Sequence, residues 1–174
     1  ANTDQGPIDF TGRATNANAA ANPVGASIIA IAGVLQGGSN NAGVSFLSNT
    51  ISQSHIALIE NIDLTSSTTV SVRAQDGSLI TGVAVGAGVA TGQFAGVASV
   101  VQQTIDNVIS ARISGGGITS RDVVVQSQAA SAIRGSAGSL GIGIGAAAVG
   151  LSIVESSIAN NVAAAVAGAQ IRAS

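Results

Sequence analysis

The chain repeats itself about every 53 residues, nearly three times over, and no other feature restricts its fold as strongly. Ile51, Ile105 and Ile158 are equivalent positions. So are Phe46/Val100/Ile153, Leu47/Val101/Val154, Ile59/Ile113/Val166 and Leu64/Ile118/Ile171. Between these runs Val70 and Val72 match Val123 and Val125, and Ile80 matches Ile133. Self-similarity at a fixed period of this size marks an architecture of stacked units, each burying its apolar side against its neighbours. Such stacks serve mostly as scaffolds, surfaces and fibres.

Within each repeat the pattern has period 2. Ile29 and Ile31 alternate with Ala30 and Ala32, Val83 and Val85 with Ala84 and Gly86, and Val70 and Val72 with Ser71 and Arg73. Alternating β-branched residues read as strands. Glycine pairs and runs punctuate them, at Gly37-Gly38 and Gly115-Gly116-Gly117, and Asp76-Gly77 signals a turn. Each repeat then holds three strands: one rich in small residues (Ile80 to Ala90), a longer mixed one (Ala95 to Ile113) and a short valine-based one (Val123 to Val125). Gly and Ala on one face imply close sheet-to-sheet approach. Residues 153–171 would pass alone as a helix. Their equivalents from Val100 to Ile118 carry β-branched residues and three glycines, so strand is the better reading for both. The expected fold is all-β, a parallel β-solenoid of about three stacked repeats over residues 28–79, 80–132 and 133–174. Residues 1–27, which hold Pro7 and Pro23, form an N-terminal extension or partial repeat. Ile8 and Phe10 suit an incomplete third strand of the repeat.

In a stack, equivalent residues lie ~4.8 Å apart. Thr50/Thr104/Ser157 and Gln53/Asn107/Asn160 keep their type, as hydroxyl and amide ladders require. Charge is treated in the opposite way. Arg112 shares a column with Leu58 and Ala165, Asp106 with Ser52 and Ala159, and Glu155 with Ser48 and Gln102. Like charges directly opposite in paired strands are destabilising. A stack therefore explains why only 8% of residues are charged. The net charge of −2, with six scattered arginines and no lysine, offers no footprint for nucleic acid. The absence of Cys removes disulfide and thiolate chemistry. A chain that starts at Ala1 and lacks Met suits a processed, exported protein or a fragment of a longer one. The best membrane-helix candidate, Leu140 to Val154, is 15 residues long and holds Gly141, Gly143, Gly145 and Gly150. A spanning helix needs about 20 residues, so membrane insertion of this kind is disfavoured.

The run GVAVGAGVATG, followed by AGVASVVQQTIDNVISARI and DVVVQSQ, resembles repeats in the passenger regions of large bacterial autotransporter adhesins and leukotoxin-like exoproteins. The resemblance covers roughly residues 28–174. It implies an exported β-solenoid displayed at the cell surface, and it carries over no catalytic residue.

No residue stands out as a site. His55 is the single histidine, and pairing with Glu60 or Asp63 and a nearby serine would be needed to activate a nucleophile. Its equivalents are Ile109 and Val162, and no GxSxG elbow exists. It reads as a loop or surface histidine. Gly141, Gly143 and Ala146 satisfy GxGxxA, but the glycines fall inside an alternating run and Glu155 follows too soon for a ribose contact. Asp122 lies too far from Gly115-Gly116-Gly117 for a calcium repeat. The expectation is no catalytic, cofactor or metal site and no small-molecule substrate. The function expected is a non-enzymatic extracellular structural protein, secreted or at the bacterial cell surface, whose partner is itself, joined head to tail in a fibre. An adhesin module binding a host or matrix ligand and a membrane-active toxin segment are the alternatives.

Overall fold

The computed structural model describes residues 8–10, 27–66, 68–144 and 147–173. Most of the 1–27 extension, including Pro7 and Pro23, lies outside these residues, as do Gly145 and Ala146. The described residues form strands and no helix. In chain order these are β1 (Ile8–Phe10), β2 (Ser27–Glu60), β3 (Leu64–Thr65), β4 (Thr69–Asp76), β5 (Leu79–Ser114), β6 (Gly117–Ser120), β7 (Asp122–Ala129), β8 (Ala132–Gly143), β9 (Ala147–Ile158), β10 (Asn161–Ala167) and β11 (Gln170–Ala173). They make three open sheets. The largest runs β1-β2-β5-β10, with β8 and β9 also paired to β5. A second runs β11-β6-β3, and β4 pairs β7 in the third.

The sequence period reappears as the pairing register. β2 lies parallel to β5, with Leu47 opposite Val101 and Ile51 opposite Ile105. β9 continues both columns with Val154 and Ile158. Ile59, Ile113 and Val166 are likewise paired, as are Leu64, Ile118 and Ile171. Val70 faces Val123 and Ile80 faces Ile133. The all-β, parallel character expected from alternation is therefore present, and every apolar column named above is a row of paired residues. We call β2–β4, β5–β7 and β8–β11 the first, middle and last tiers.

β1 departs from expectation. It pairs antiparallel with β2, Ile8 opposite Leu35 and Phe10 opposite Gly33, on the side of β2 away from β5. The third strands of the repeat pair with one another in parallel, as β4 does with β7. β1 is thus a strand laid over an edge rather than a partial copy of that third strand.

The first two strands of the repeat are one element. β5 runs unbroken from Leu79 to Ser114, but its buried positions change parity along the way. Ile80, Ala84 and Ala90 are buried in its first arm; Ala95, Val97, Val101 and Ile105 are buried in its second. The chain turns between them so that the arms face each other. Leu47 and Val101 pack on Ala84, and Ile51 and Ile105 pack on Ile80. The approach is close. A Cβ on Gly86 would lie 2.4 Å from Cγ1 of Val97, and one on Gly82 would lie 2.2 Å from Nε2 of Gln103. This closeness is why the first arm is built of Gly and Ala. A third cluster joins Ile109, Ala111 and Ile113 of the second arm to Val70, Val72 and Ala74 of β4 and to Ile118. Each fully buried isoleucine contributes about 1.5–3 kcal/mol of transfer free energy.

One corner recurs in all three tiers. Asn61, Gly115 and Gly168 follow the ends of β2, β5 and β10 with φ of 52°, 67° and 65°. Left-handed backbone favours glycine, and asparagine is the side chain that best tolerates it. The Asn61 N–H donates to Ser114 O at 2.8 Å and the Gly115 N–H to Ala167 O at 2.9 Å, which ties the corners together.

The register makes a charge test direct. Arg112 lies between Leu58 and Ala165. The double substitution Leu58→Arg with Ala165→Arg places three guanidinium groups in one row. We expect a loss of about 1 kcal/mol at low salt, partly restored at high salt because screening weakens the repulsion. Thermal melting at two ionic strengths checks this. A variant that melted like the parent at low salt would break the assigned register.

Candidate functional site

The chemically distinctive feature is a buried polar ladder around Asp76. It follows from strand alternation: between inward isoleucines and valines, β2 and β5 also turn His55, Gln53, Asn49, Ser99, Gln103 and Asn107 inward. The Asp76 side chain is fully buried at the end of β4. Its carboxylate accepts hydrogen bonds from Ser78 Oγ at 2.7 Å and Ser131 Oγ at 2.5 Å. The Ser78 N–H also points to it, at 3.4 Å. His55 Nε2 lies 3.4 Å from Oδ1. Burial pushes the Asp76 carboxyl up. The hydrogen bonds from Ser131, Ser78 and Asn107 outweigh that effect and leave it below the ordinary carboxylate value.

Amides extend the ladder along the stack. Asn107 Nδ2 donates to Ser78 Oγ at 3.0 Å, and Asn160 Nδ2 donates to Ser131 Oγ at 2.8 Å. Asn107 Oδ1 accepts the backbone N–H of Gln53 at 2.9 Å, and Asn160 Oδ1 accepts that of Asn107 at 3.3 Å. One Asn–Ser unit thus repeats between the middle and last tiers. The position paired with Asp76 is Ala129, so the buried charge has no copy beside it.

His55 lies within β2, facing inward and partly buried, not in a loop. Its partners are Asp76 and Gln53, whose Oε1 is 3.2 Å from Nε2. Glu60 is an odd number of residues further along the strand and so points to the other face. Asp63 lies past the corner, where its Oδ1 accepts the Gly117 N–H at 2.7 Å. Among the described residues no hydroxyl contacts the imidazole. Ser78 donates to the carboxylate instead. His55 and Ser78 thus both meet one buried carboxylate, at 3.4 Å and 2.7 Å.

The glycine motifs are also accounted for by packing. Gly141 and Gly143 lie inside β8, and a Cβ on Gly141 would lie 3.2 Å from Val149 O. Among the described residues no helix follows them to receive a phosphate. Gly115 and Gly116 form the corner, and Asp122 opens β7. Among the described residues no three His, Cys, Asp or Glu side chains gather to hold a metal ion. Among the described residues no helix is long and apolar enough to cross a membrane.

Two shallow grooves mark the surface. One, of about 180 Å³, is polar and lined by Asp63, Thr65, Thr119, Gln170 and Arg172. The other, of about 240 Å³, is apolar and lies over Val44, Phe94, Gly96, Ala98, Val149 and Leu151. Sequence alternation marks these last residues as strand but does not single them out as a surface. Comparison with protein-family models, curated proteins and solved structures gives no match to this chain.

Proposed function

We propose that the three tiers are successive coils of a parallel β-solenoid, and that the chain is a non-enzymatic structural unit joined head to tail in a fibre. The observation that carries this reading is the last tier. From Ala147 to Ala167 the side chains of β9 and β10 are exposed whichever face of the strand they occupy. A further tier laid on β9 and β10 would cover them. β10 also ends its sheet, leaving a parallel edge that can template another chain.

The first tier of a second copy fits this edge. β1 covers only Gly33–Leu35 of β2, so Asn40–Glu60 carries no strand on its outer side among the described residues. Continuing the period places Ile51 of the second copy on Ile158, Phe46 on Ile153 and Thr50 on Ser157. Glu155 meets Ser48 and Arg172 meets Thr65, so no like charges are stacked. Such a contact does not close on itself and propagates into a filament. Display at a bacterial surface rests on the resemblance to autotransporter passengers.

Electron microscopy and light scattering of the purified chain test the reading. Filaments that lengthen with concentration and shorten on dilution are expected. A monomer that stays monomeric at high concentration would overturn head-to-tail growth.

A further inference from the structure

We propose that the outward apolar half-face of the largest sheet docks a second copy of this chain, sheet face against sheet face, sideways to the stacking direction. This contact is separate from the head-to-tail one and uses different residues.

Where β9 pairs with β5, the outward side chains of β2, β5 and β9 divide into two halves. In one half the columns are Ser48/Gln102/Glu155 and Thr50/Thr104/Ser157. In the other they are Val44/Ala98/Leu151 and Phe46/Val100/Ile153. Val44 is 66% exposed, Phe46 59% and Leu151 54%. A sheet face selected only for contact with water is polar along its length, and parallel sheets are ordinarily covered on both faces. The polar half fits a solvated face; the apolar half fits a covered one.

The shape of the patch indicates a copy of itself as the cover. Gly96, between Ala42 and Val149 in the paired row, leaves the floor of the apolar groove low. Phe94 lines the groove and Phe46 stands one outward position beyond Val44, 44% and 59% exposed. The same face therefore carries a hole and the aromatic knobs to fill it, which is the condition for a two-fold, isologous contact. The patch holds no charged residue, so two copies meet without like-charge repulsion. A lipid surface fits less well. The chain has no Trp, Tyr or Lys, the residues that hold proteins at the headgroup level. The patch spans roughly 20 Å along the strands by 14 Å across three tiers. That is small for a stable interface, so the dimer is weak and reversible.

Sedimentation equilibrium across a concentration series tests the proposal. The parent should show a reversible dimer beneath any longer assembly. Ala98→Arg puts opposed charges at the centre of the contact and should weaken the dimer at least about a hundredfold, and Ala98→Glu should do the same. Thr104→Arg, on the polar half of the same face, should leave it unchanged. Unaltered circular dichroism confirms that the variants fold. A parent with no dimer at its highest soluble concentration, or Ala98 variants that associate as strongly as the parent, would overturn the proposal. So would binding of phosphatidylcholine vesicles by the parent that Ala98→Arg abolishes, since that result assigns the face to lipid.

Discussion

Replacing Gly116 by alanine should cost about 3 kcal/mol or more and lower the urea midpoint sharply. Two effects add. Gly116 has φ +75°, where a side chain costs ~1–2 kcal/mol. Its added Cβ would also lie 2.2 Å from Ile62 O and 2.7 Å from Ile62 N, both backbone atoms of the neighbouring tier. Relief requires the corner of the first tier to move. That displaces the Asn61 N–H to Ser114 O and Gly117 N–H to Asp63 Oδ1 hydrogen bonds, worth about 1 kcal/mol each. Gly138→Ala is the contrast. A Cβ there meets nothing within 4 Å, and alanine in a strand interior restricts the unfolded chain. Its midpoint should equal or exceed that of the parent. Similar midpoints for the two variants would refute the corner geometry.

Asp76→Ala should be of similar size, about 3 kcal/mol, because it leaves the buried Ser78 hydroxyl and the half-buried Ser131 hydroxyl without their acceptor. Asp76→Asn keeps the shape and should cost less. The pH dependence separates charge from packing. The Asp76 carboxyl lies below its ordinary value of 3.8 in the folded chain, so the unfolded chain takes up the proton first as pH falls. Its stabilisation is complete above the unfolded value and is lost as pH drops through the lower folded one. The parent should therefore lose stability below about pH 4 more steeply than Asp76→Asn. Denaturant titrations between neutral pH and pH 2 measure the difference. Parallel acid profiles for the two proteins would show that the carboxylate is not held by these hydrogen bonds.

The rows of Ile51/Ile105/Ile158 and Leu64/Ile118/Ile171 were legible in the sequence because paired positions recur at the sequence period, so repetition along the chain encodes contact directly. Charge avoidance at Arg112 and Glu155 was legible for the same reason. The break between Ile80–Ala90 and Ala95–Ile113 was legible, but not that the chain passes through it as one continuous strand. No proline or strong turn pair marks residues 91–93, and the change of buried parity shows only once both arms face one core. Asp76 was read as a turn residue beside Gly77, which hid its burial. The partner of His55 was missed because candidates were taken from nearby, at Glu60 and Asp63. Packing of β4 against β2 and β5 brings Asp76 across instead. The apolar residues equivalent to His55, Ile109 and Val162, were the available signal that it faces inward. Of the corner residues, Gly115 stood out within its glycine run. Asn61 and Gly168 did not, since one Asn or one Gly alone carries little information.

The direction of the tier-to-tier hydrogen bonds has a mechanical consequence. They run across the strands, along the line in which tiers follow one another. Tension on the two ends of the chain along that line loads the bonds in succession, peeling one strand from the next, rather than shearing a whole row at once. Resistance is then low and even, and rupture proceeds tier by tier. Each event frees the residues of one period, about 180 Å of extended chain. Because the freed segment keeps its columns, it can re-zip onto the exposed edge when the load is removed. A chain built this way would yield under load by lengthening in steps of that size, dissipating force gradually.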